Sequence, residues 1–233
     1  MKNKRIDILF IGNSHTYLHH MPQMVDILAQ TKRPVFRIHS DQAVGEGVDL
    51  QWHAKDDKTR SLIAARAWDF VVLQERSGGP VENPSVMFTA ARRLDCLIRD
   101  QGSRTVFFMT WANRNRPETQ AAIAGAYVKI SRELRALLAP VGLAWQQART
   151  DLPDLDLYHP DGRHAGRIGT YLTACTFVHL FTGVVPGALS RQVLMDGRAK
   201  VDLPHRTAHR LQQIACNQLA AFKSPLLSPD TTG

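Results

Sequence analysis

The stretch from Ile6 to Thr16, which reads IDILFIGNSHT, constrains the fold more than any other part of the chain. Its apolar first half has the length and the β-branched content of a strand that is buried on both faces. The strand ends at Gly12-Asn13, a strong turn signal, and Ser14 follows directly before a helical pattern. The stretch therefore predicts a buried strand, a tight turn, and a serine hydroxyl at the N-terminus of a helix.

Short apolar runs alternate with helical patterns along the rest of the chain. Further strands are predicted at 35–39, 70–73 and 105–109, with a short fifth strand at 143–146. The predicted helices cover 17–30, 61–67, 85–100, 117–138, 170–181 and 204–222. Strands that alternate with helices indicate an α/β fold, in which a mostly parallel sheet is covered by helices on both faces.

Distinctive polar residues and glycines follow the predicted strands. They are Ser14, Gly45, Gly47, Gln74 and Asn113. Right-handed crossovers place the loops that carry them along one edge of a parallel sheet, where ligands bind in open α/β folds. The free N–H groups at a helix N-terminus also favour negative charge there. Ser14 is therefore a candidate catalytic residue, although from this stretch alone a simple helix N-cap is the commoner role for a serine.

The composition is that of an ordinary globular protein, with 44% hydrophobic and 21% charged residues. The 29 Lys and Arg residues exceed the 21 Asp and Glu residues, which gives a net charge of +8. The basic residues are dispersed, however, and no run of five occurs, so the sequence predicts no nucleic-acid partner. No apolar run reaches the ~18 residues that would span a bilayer, so no membrane insertion is predicted.

The 233 residues suit one domain, which we predict at 1–223, followed by a frayed tail at 224–233. The three cysteines, Cys96, Cys175 and Cys216, lie at wide spacing in apolar helical contexts, which is typical of free thiols in a reducing compartment. The N-terminal residues MKNKR lead into the first strand without a secretory signal pattern. We therefore predict a soluble, cytoplasmic protein.

A second candidate feature is the late polar segment that contains Asp161 and His164. Serine is a poor nucleophile unless an adjacent base, itself held by a third group, activates its hydroxyl. A histidine with an aspartate three residues earlier, across a glycine-containing turn, supplies both groups from one loop. The alternative is a surface turn that happens to carry a histidine.

Taken together, these features resemble the SGNH/GDSL hydrolases, over the chain from Ile6 to about Gly183. The matching blocks read GNSHT at 12–16, LQERS at 73–77 and DGRHAGRIGTYL at 161–172, and they are similar to a bacterial branch with GNSxT, LQExS and DGxHxxxxGTYL blocks. The resemblance implies a three-layer α/β/α sandwich of flavodoxin-like topology with a mostly parallel five-stranded sheet. It also implies hydrolysis of carboxylic esters through an acyl-enzyme.

The resemblance assigns roles to particular residues. It implies that Ser14 is the nucleophile, His164 the general base and acid, and Asp161 the residue that orients His164. Of the family's oxyanion-hole donors, the nucleophile's own N–H corresponds to Ser14. The glycine N–H after the second strand corresponds to Gly47, with Gly45 as the next choice.

The third oxyanion donor departs from the family pattern. The family places an asparagine after the third strand, whereas this sequence has Gln74 there. A glutamine amide is a competent donor with a longer arm, so we predict Gln74 for this role. Asn113 and Asn83 are rivals, and a polar strand-end residue that bonds nearby backbone is the alternative role for Gln74.

Other residues near the first turn suggest further sites. His15, His19 and His20 have spacing that a metal site can use, but no Cys, Asp or Glu of the same helical segment joins them before Asp26, so we predict no metal and no cofactor. His15 and Trp111 are predicted to line a substrate pocket.

Trp52 is a further candidate for the same pocket. Buried packing is the commoner role for an isolated tryptophan, and Trp111 keeps more functional weight because it follows the fourth strand.

The predicted function is that of a serine esterase acting on a small-molecule ester, with small acyl groups such as acetyl carried by a carbohydrate or a similar hydroxylated compound. The sugar is implied by the resemblance alone. Acyl transfer to an acceptor other than water uses the same residues and stays open. A non-catalytic ligand-binding module of the same fold is the third reading, and the presence of serine, histidine and aspartate together weighs against it. The sequence does not favour any oligomeric state.

Overall fold

The computed structural model describes residues 4–31 and 36–222 and is built on a five-stranded parallel sheet. Its strands are β1 (Lys4–Gly12), β2 (Phe36–Val44), β3 (Phe70–Leu73), β4 (Arg104–Phe108) and β5 (Leu137–Ala139). Their spatial order is β2-β1-β3-β4-β5, and every neighbouring pair is parallel. β2 lies on one side of β1, and β3 lies on the other side. Such a switch point opens a crevice at the carboxyl ends of the strands.

Helices connect the strands and cover both faces of the sheet. They are α1 (Ser14–Tyr17), α2 (Met21–Ala29), α3 (Leu50–His53), α4 (Asp57–Ala64), α5 (Gly79–Glu82), α6 (Pro84–Asp100), α7 (Gln120–Glu133), α8 (Val141–Asp151), α9 (Arg167–Thr182) and α10 (His205–Ala221). Short 3-10 turns cover Leu18–His20 and Pro117–Thr119, and an antiparallel hairpin of β6 (Gln192–Met195) and β7 (Arg198–Asp202) precedes α10.

The side chains of β1 show how one sheet supports two hydrophobic cores. Successive residues of a strand point to opposite faces. Ile8 and Phe10 pack on the face that α2, α8, α9 and α10 cover. Leu9 and Ile11 pack on the face that α4, α6 and α7 cover. The predicted α/β class, with helices on both faces of a parallel five-stranded sheet, is confirmed.

The position of the fifth strand was predicted wrongly. Residues 143–146 lie inside α8, and β5 forms earlier, from residues that the helical pattern assigned to the end of the 117–138 helix. The chain leaves α7 after Glu133, and Arg135 has a φ of 48°, in the left-handed region that an α-helix cannot contain. This residue stops the helix and frees the next segment to join the sheet edge.

The region after β1 is less regular than the predicted 17–30 helix. Two consecutive residues, His19 and His20, have φ values of 53° and 55°, and they separate the single turn of α1 from α2. Pro22 lies in the first turn of α2, where its missing N–H costs nothing.

Several other boundaries shift. The strand predicted at 35–39 extends to Val44, with Val35 outside the described residues, and α4 lies earlier than the predicted 61–67 helix. The β6–β7 hairpin was not predicted. The tail predicted at 224–233 also lies outside the described residues. Within the described part of the chain, no helix is long and apolar enough to cross a membrane.

Candidate active site

The turn between β1 and α1 holds Ser14 at the carboxyl edge of the sheet. Gly12 is required at this turn, because a Cβ there would collide with side-chain oxygens of Gln74 and Thr16. Asn13 caps α1 by accepting a hydrogen bond from the His15 N–H at 3.1 Å. The turn is therefore tight, and Ser14 is the first helical residue.

A chain of hydrogen bonds runs from Ser14 to the late polar loop. Ser14 Oγ lies 2.9 Å from His164 Nε2, and His164 Nδ1 lies 2.6 Å from Asp161 Oδ2. The other oxygen of Asp161 accepts the backbone N–H groups of Arg163 at 2.8 Å and His164 at 2.9 Å. The structure thus brings together the three residues that the sequence predicted as catalytic, over a separation of about 150 residues.

Asp161 is held in its ionised form. Partial burial by itself raises the pKa of this carboxyl, but the hydrogen bonds from the His164 ring and from two backbone N–H groups outweigh that effect. The pKa of Asp161 is therefore well below its ordinary value. A carboxylate that stays charged at neutral pH is what an imidazolium partner needs.

The ring of His164 lies against a buried aromatic wall. His15 has its ring centroid 5.3 Å from that of His164 and 4.9 Å from that of Trp111, and Trp111 stacks on Trp145 at 3.9 Å. Burial lowers the pKa of His15 to about 3, with smaller contributions from the charges of His164 and Arg163, so the His15 ring is neutral at neutral pH. Its Nε2 has no hydrogen-bond partner among the described residues.

The two predicted substrate-pocket residues are largely buried. His15 is 5% and Trp111 2% exposed, and Trp111 lines a pocket of about 300 Å³ together with Trp145 and Tyr158. Trp111 also donates from Nε1 to the Arg163 carbonyl at 2.9 Å, which fixes the loop that carries His164. Trp52 is 45% exposed on α3.

Two backbone N–H groups, one at Ser14 and one in the Gly47 loop, are candidates for an oxyanion hole. Among the described residues, neither the Ser14 N–H nor the Gly47 N–H has a hydrogen-bond acceptor, whereas the Gly45 N–H donates to the Gly12 carbonyl at 3.3 Å. Gly47 has a φ of 63°, which is suited to glycine, in an exposed loop. Asn13 donates to the Val48 carbonyl at 2.8 Å and so ties this loop to the turn that holds Ser14.

Gln74 does not offer a donor to the site, and its predicted role in the oxyanion hole is corrected here. Its Nε2 donates to Asn13 Oδ1 at 3.0 Å and to the Glu75 carbonyl at 2.6 Å, so both amide protons are used. Its Oε1 accepts the Asn13 N–H and the Thr16 hydroxyl, each at 2.9 Å. The side chain is fully buried and connects the end of β3 to the turn that holds Ser14.

The rival asparagines differ in availability. Asn113 is half-buried in the loop after β4, at the carboxyl edge of the sheet, and its amide has no hydrogen-bond partner among the described residues. Asn83 is exposed at the junction of α5 and α6. Asn113 therefore has an available amide at the carboxyl edge of the sheet.

Glu75 is a buried acidic residue that the sequence predictions did not assign. Its carboxylate accepts the Leu50 N–H at 3.2 Å and the Arg76 N–H at 2.9 Å, and burial raises its pKa to about 7. Because Leu50 begins α3, Glu75 holds the far end of the Gly47 loop. An acidic residue two positions after a buried strand was the signal in the sequence.

His53 supports the same turn. It is fully buried, and its Nε2 lies 2.9 Å from the Gly12 carbonyl. In the described residues, no group of three or more His, Cys, Asp or Glu side chains is arranged to hold a metal ion.

Comparisons with known proteins agree with this architecture. A candidate SGNH hydrolase from Slackia heliotrinireducens is 26% identical, with a TM-score of 0.67 over 76% of this chain and 100% of its own. A DUF4886 family protein from Bacteroides uniformis is 18% identical, with a TM-score of 0.72 over 93% of this chain and 95% of its own. An acetylxylan esterase from Geobacillus stearothermophilus is 14% identical, with a TM-score of 0.59 over 76% of this chain and 94% of its own. No family model and no curated protein matches the sequence.

The fold and its structural neighbours define the protein first as a hydrolase of the α/β class with a flavodoxin-like parallel sheet. More narrowly, the fold is that of the SGNH hydrolases, the family that the sequence blocks resemble.

Proposed function

We propose that the protein is a serine esterase that hydrolyses carboxylic esters through an acyl-enzyme on Ser14. The observation that supports this proposal is the continuous hydrogen-bonded chain from Ser14 Oγ through His164 to Asp161. A binding module has no need of such a chain. The same side chains at these distances supply a nucleophile, a base and a group that orients the base.

Each residue has a defined part in the acylation step. His164 Nε2 takes the proton from Ser14 Oγ as that oxygen attacks the ester carbonyl carbon. His164 Nδ1–H stays hydrogen-bonded to the Asp161 carboxylate, which stabilises the imidazolium. The proton then passes from Nε2 to the oxygen of the departing alcohol. In deacylation, His164 takes a proton from water, the hydroxide oxygen attacks the acyl carbon, and Ser14 Oγ regains the proton.

The negative charge of the tetrahedral intermediate needs donors. The N–H groups of Ser14 and Gly47 serve here, since both are free of protein acceptors in the described part of the chain. For the third donor we propose Asn113 in place of Gln74. The free amide of Asn113 on the sheet edge supports this choice.

We propose small acyl groups, acetyl above all, on a carbohydrate or similar hydroxylated compound. The buried wall of His15 and Trp111 closes one side of the His164 ring and favours a short acyl chain. The acetylxylan esterase among the structural neighbours supports the same substrate class, at the level of shared fold. Water is the proposed acceptor because the His164 side chain is 22% exposed and the site is open to solvent.

We also propose a domain organisation and a cellular location for the protein. A single domain at 1–223 is supported by the two cores that share one sheet. A cytoplasmic location is supported by Cys96, Cys175 and Cys216, all of which are free thiols.

The test is a screen of the purified protein against acyl esters of graded chain length, with Ser14→Ala as the control. We expect hydrolysis of acetyl esters, a lower rate with longer chains, and a loss of several orders of magnitude in Ser14→Ala. A fluorophosphonate should label Ser14. Labelling at another serine, or full activity in Ser14→Ala, contradicts the mechanism. Product analysis with added alcohols distinguishes hydrolysis from acyl transfer.

A further inference from the structure

A cleft of about 350 Å³ lies beside the Ser14–His164–Asp161 chain, between the loop after β4 and the loop before α9. The residues that give it its chemical character are polar or cationic: Asn113, Arg114, Asn115, Asp161 and Arg163. Asp161 belongs both to this cleft and to the proposed catalytic chain. The cleft is therefore continuous with the site rather than separate from it.

The two loops of the cleft are joined by backbone contacts. The Arg114 N–H donates to the Gly162 carbonyl at 2.8 Å. Both backbone groups of Arg163 are hydrogen-bonded: its N–H donates to Asp161, and its carbonyl accepts the Trp111 indole N–H. The base of the Arg163 side chain is thus positioned before any ligand arrives.

The charges of the cleft leave one cation without a partner. Arg114 is paired with Asp156 at 2.6 Å. The Asp161 carboxylate accepts two backbone N–H groups and lies beside the His164 ring and the His159 ring, with His159 Nδ1 at 3.3 Å. Among the described residues, the Arg163 guanidinium has neither an acidic partner nor a hydrogen-bond acceptor, and the Asn115 amide has no acceptor. The cleft therefore offers an amide donor and a guanidinium that forms no ion pair.

The direction of the proposed reaction indicates which part of a substrate reaches this cleft. His164 protonates the oxygen of the departing alcohol, so the alcohol must lie beside the His164 ring. The cleft flanks the loop that carries His164. One imidazole ring and two hydrogen bonds separate Ser14 Oγ from Asp161, which lines the cleft.

We propose that this cleft binds a carboxylate or phosphate group on the alcohol part of the ester, and that Arg163 recognises its charge. The inference rests on the proposed esterase function and narrows its substrates to esters of acidic alcohols. An anion on Arg163 meets a guanidinium whose fork of N–H donors matches carboxylate and phosphate oxygens.

The test uses three acetyl esters that differ in charge: acetylated methyl glucoside, acetylated glucuronate and acetylated glucose phosphate. We expect kcat/KM to be about tenfold higher for a charged ester than for the neutral one, because the charged ester has the lower KM. Added salt should reduce this preference, because the guanidinium is exposed. The two charged esters distinguish carboxylate from phosphate as the preferred group.

Variants test the role of Arg163 directly. Arg163→Gln should lower the charged-to-neutral ratio of kcat/KM about tenfold, and Arg163→Lys should keep part of it because the positive charge remains. Arg93→Gln, at an exposed arginine on α6, is the matched control and should leave the ratio unchanged. Equal kcat/KM for the three esters, or a ratio that Arg163→Gln does not change, overturns the inference.

A binding measurement separates this inference from the esterase proposal. If no ester is hydrolysed, the esterase proposal fails, and the cleft is then tested by titrating Ser14→Ala with glucuronate and with glucose phosphate in a calorimeter. Binding that weakens about tenfold in the Ser14→Ala, Arg163→Gln double variant supports the anion site. No binding of either compound overturns it.

Discussion

At the scale of single residues, the proposed mechanism depends on Ser14 and on the two side chains that are hydrogen-bonded to it in series. We expect His164→Ala to approach the loss of activity of Ser14→Ala. Asp161→Asn should lose less, because an asparagine can still accept the backbone N–H groups that shape the loop. The double variant should be little worse than His164→Ala, since the residues act as one unit. The measurement is kcat/KM for each single variant and for the pair. Losses that multiply would show that the two residues act independently.

The two amides on the sheet edge should behave in opposite ways. Asn113→Ala removes a proposed oxyanion donor and should lower kcat by roughly 10²–10³-fold with KM nearly unchanged. Gln74→Ala removes the acceptor of the Asn13 N–H and of the Thr16 hydroxyl, both of which are buried. Each unsatisfied donor lowers the free energy of unfolding by roughly 1–3 kcal/mol. Asn83→Ala, at an exposed asparagine, is the control for both measurements. A stable Gln74→Ala with low kcat, beside an active Asn113→Ala, would restore the original assignment.

At the scale of elements, the loop that carries Gly47 is fastened at both ends. Asn13 holds the Val48 carbonyl near its middle, and Glu75, at the end of β3, holds the first N–H of α3. The loop is thus tied to two neighbouring strands of the sheet. This arrangement fixes the loop in which the Gly47 N–H has no acceptor among the described residues.

The buried Glu75 makes the stability of this arrangement depend on pH. Burial raises its pKa from an ordinary 4.5 to about 7, so between these values the folded protein binds more protons than the unfolded chain. Stability is therefore lost as pH rises through this window. The glutamine of the Glu75→Gln variant cannot ionise. The difference in free energy of unfolding, wild type minus variant, should therefore fall by about 3 kcal/mol between pH 4 and pH 8. Denaturation at several pH values measures it.

The control for this prediction is Glu46→Gln, which changes an exposed glutamate in the same loop. It should show no such dependence relative to the wild type. A constant difference between the wild type and Glu75→Gln across the pH range would mean that Glu75 ionises normally in the folded protein.

At the scale of the whole molecule, one sheet separates two cores, and β1 contributes to both. Phe10 is fully buried and packs edge-to-face on Phe177 of α9 at 5.3 Å. Phe10→Ala should lower the free energy of unfolding by about 3–5 kcal/mol, because the cavity adds to the lost burial. Leu194→Ala, at a 49% exposed position on β6, should change it by less than about 0.5 kcal/mol. Chemical denaturation compares the two, and equal effects would contradict the assignment of Phe10 to the core.

The sequence by itself determined the features that depend on local chain order. The run before Gly12 predicted β1 because a strand buried on both faces must be apolar throughout. The Asp161–His164 pair could also be predicted from the sequence, since a separation of three residues and a glycine turn are enough to bring a carboxylate to an imidazole. The class of fold followed from strands alternating with helices.

The tertiary structure decided which groups meet and which stay free. Ser14 and His164 lie 150 residues apart, and the sheet order brings them together. Gln74 and Asn113 are both amides that follow strands, and local pattern does not distinguish them. Both N–H donors of the Gln74 amide are hydrogen-bonded, whereas the Asn113 amide has no partner among the described residues. The difference depends on neighbouring groups that only the folded chain supplies. The three-residue β5 was misplaced for a related reason, because an edge strand so short is stabilised by pairing with β4 rather than by its own residues.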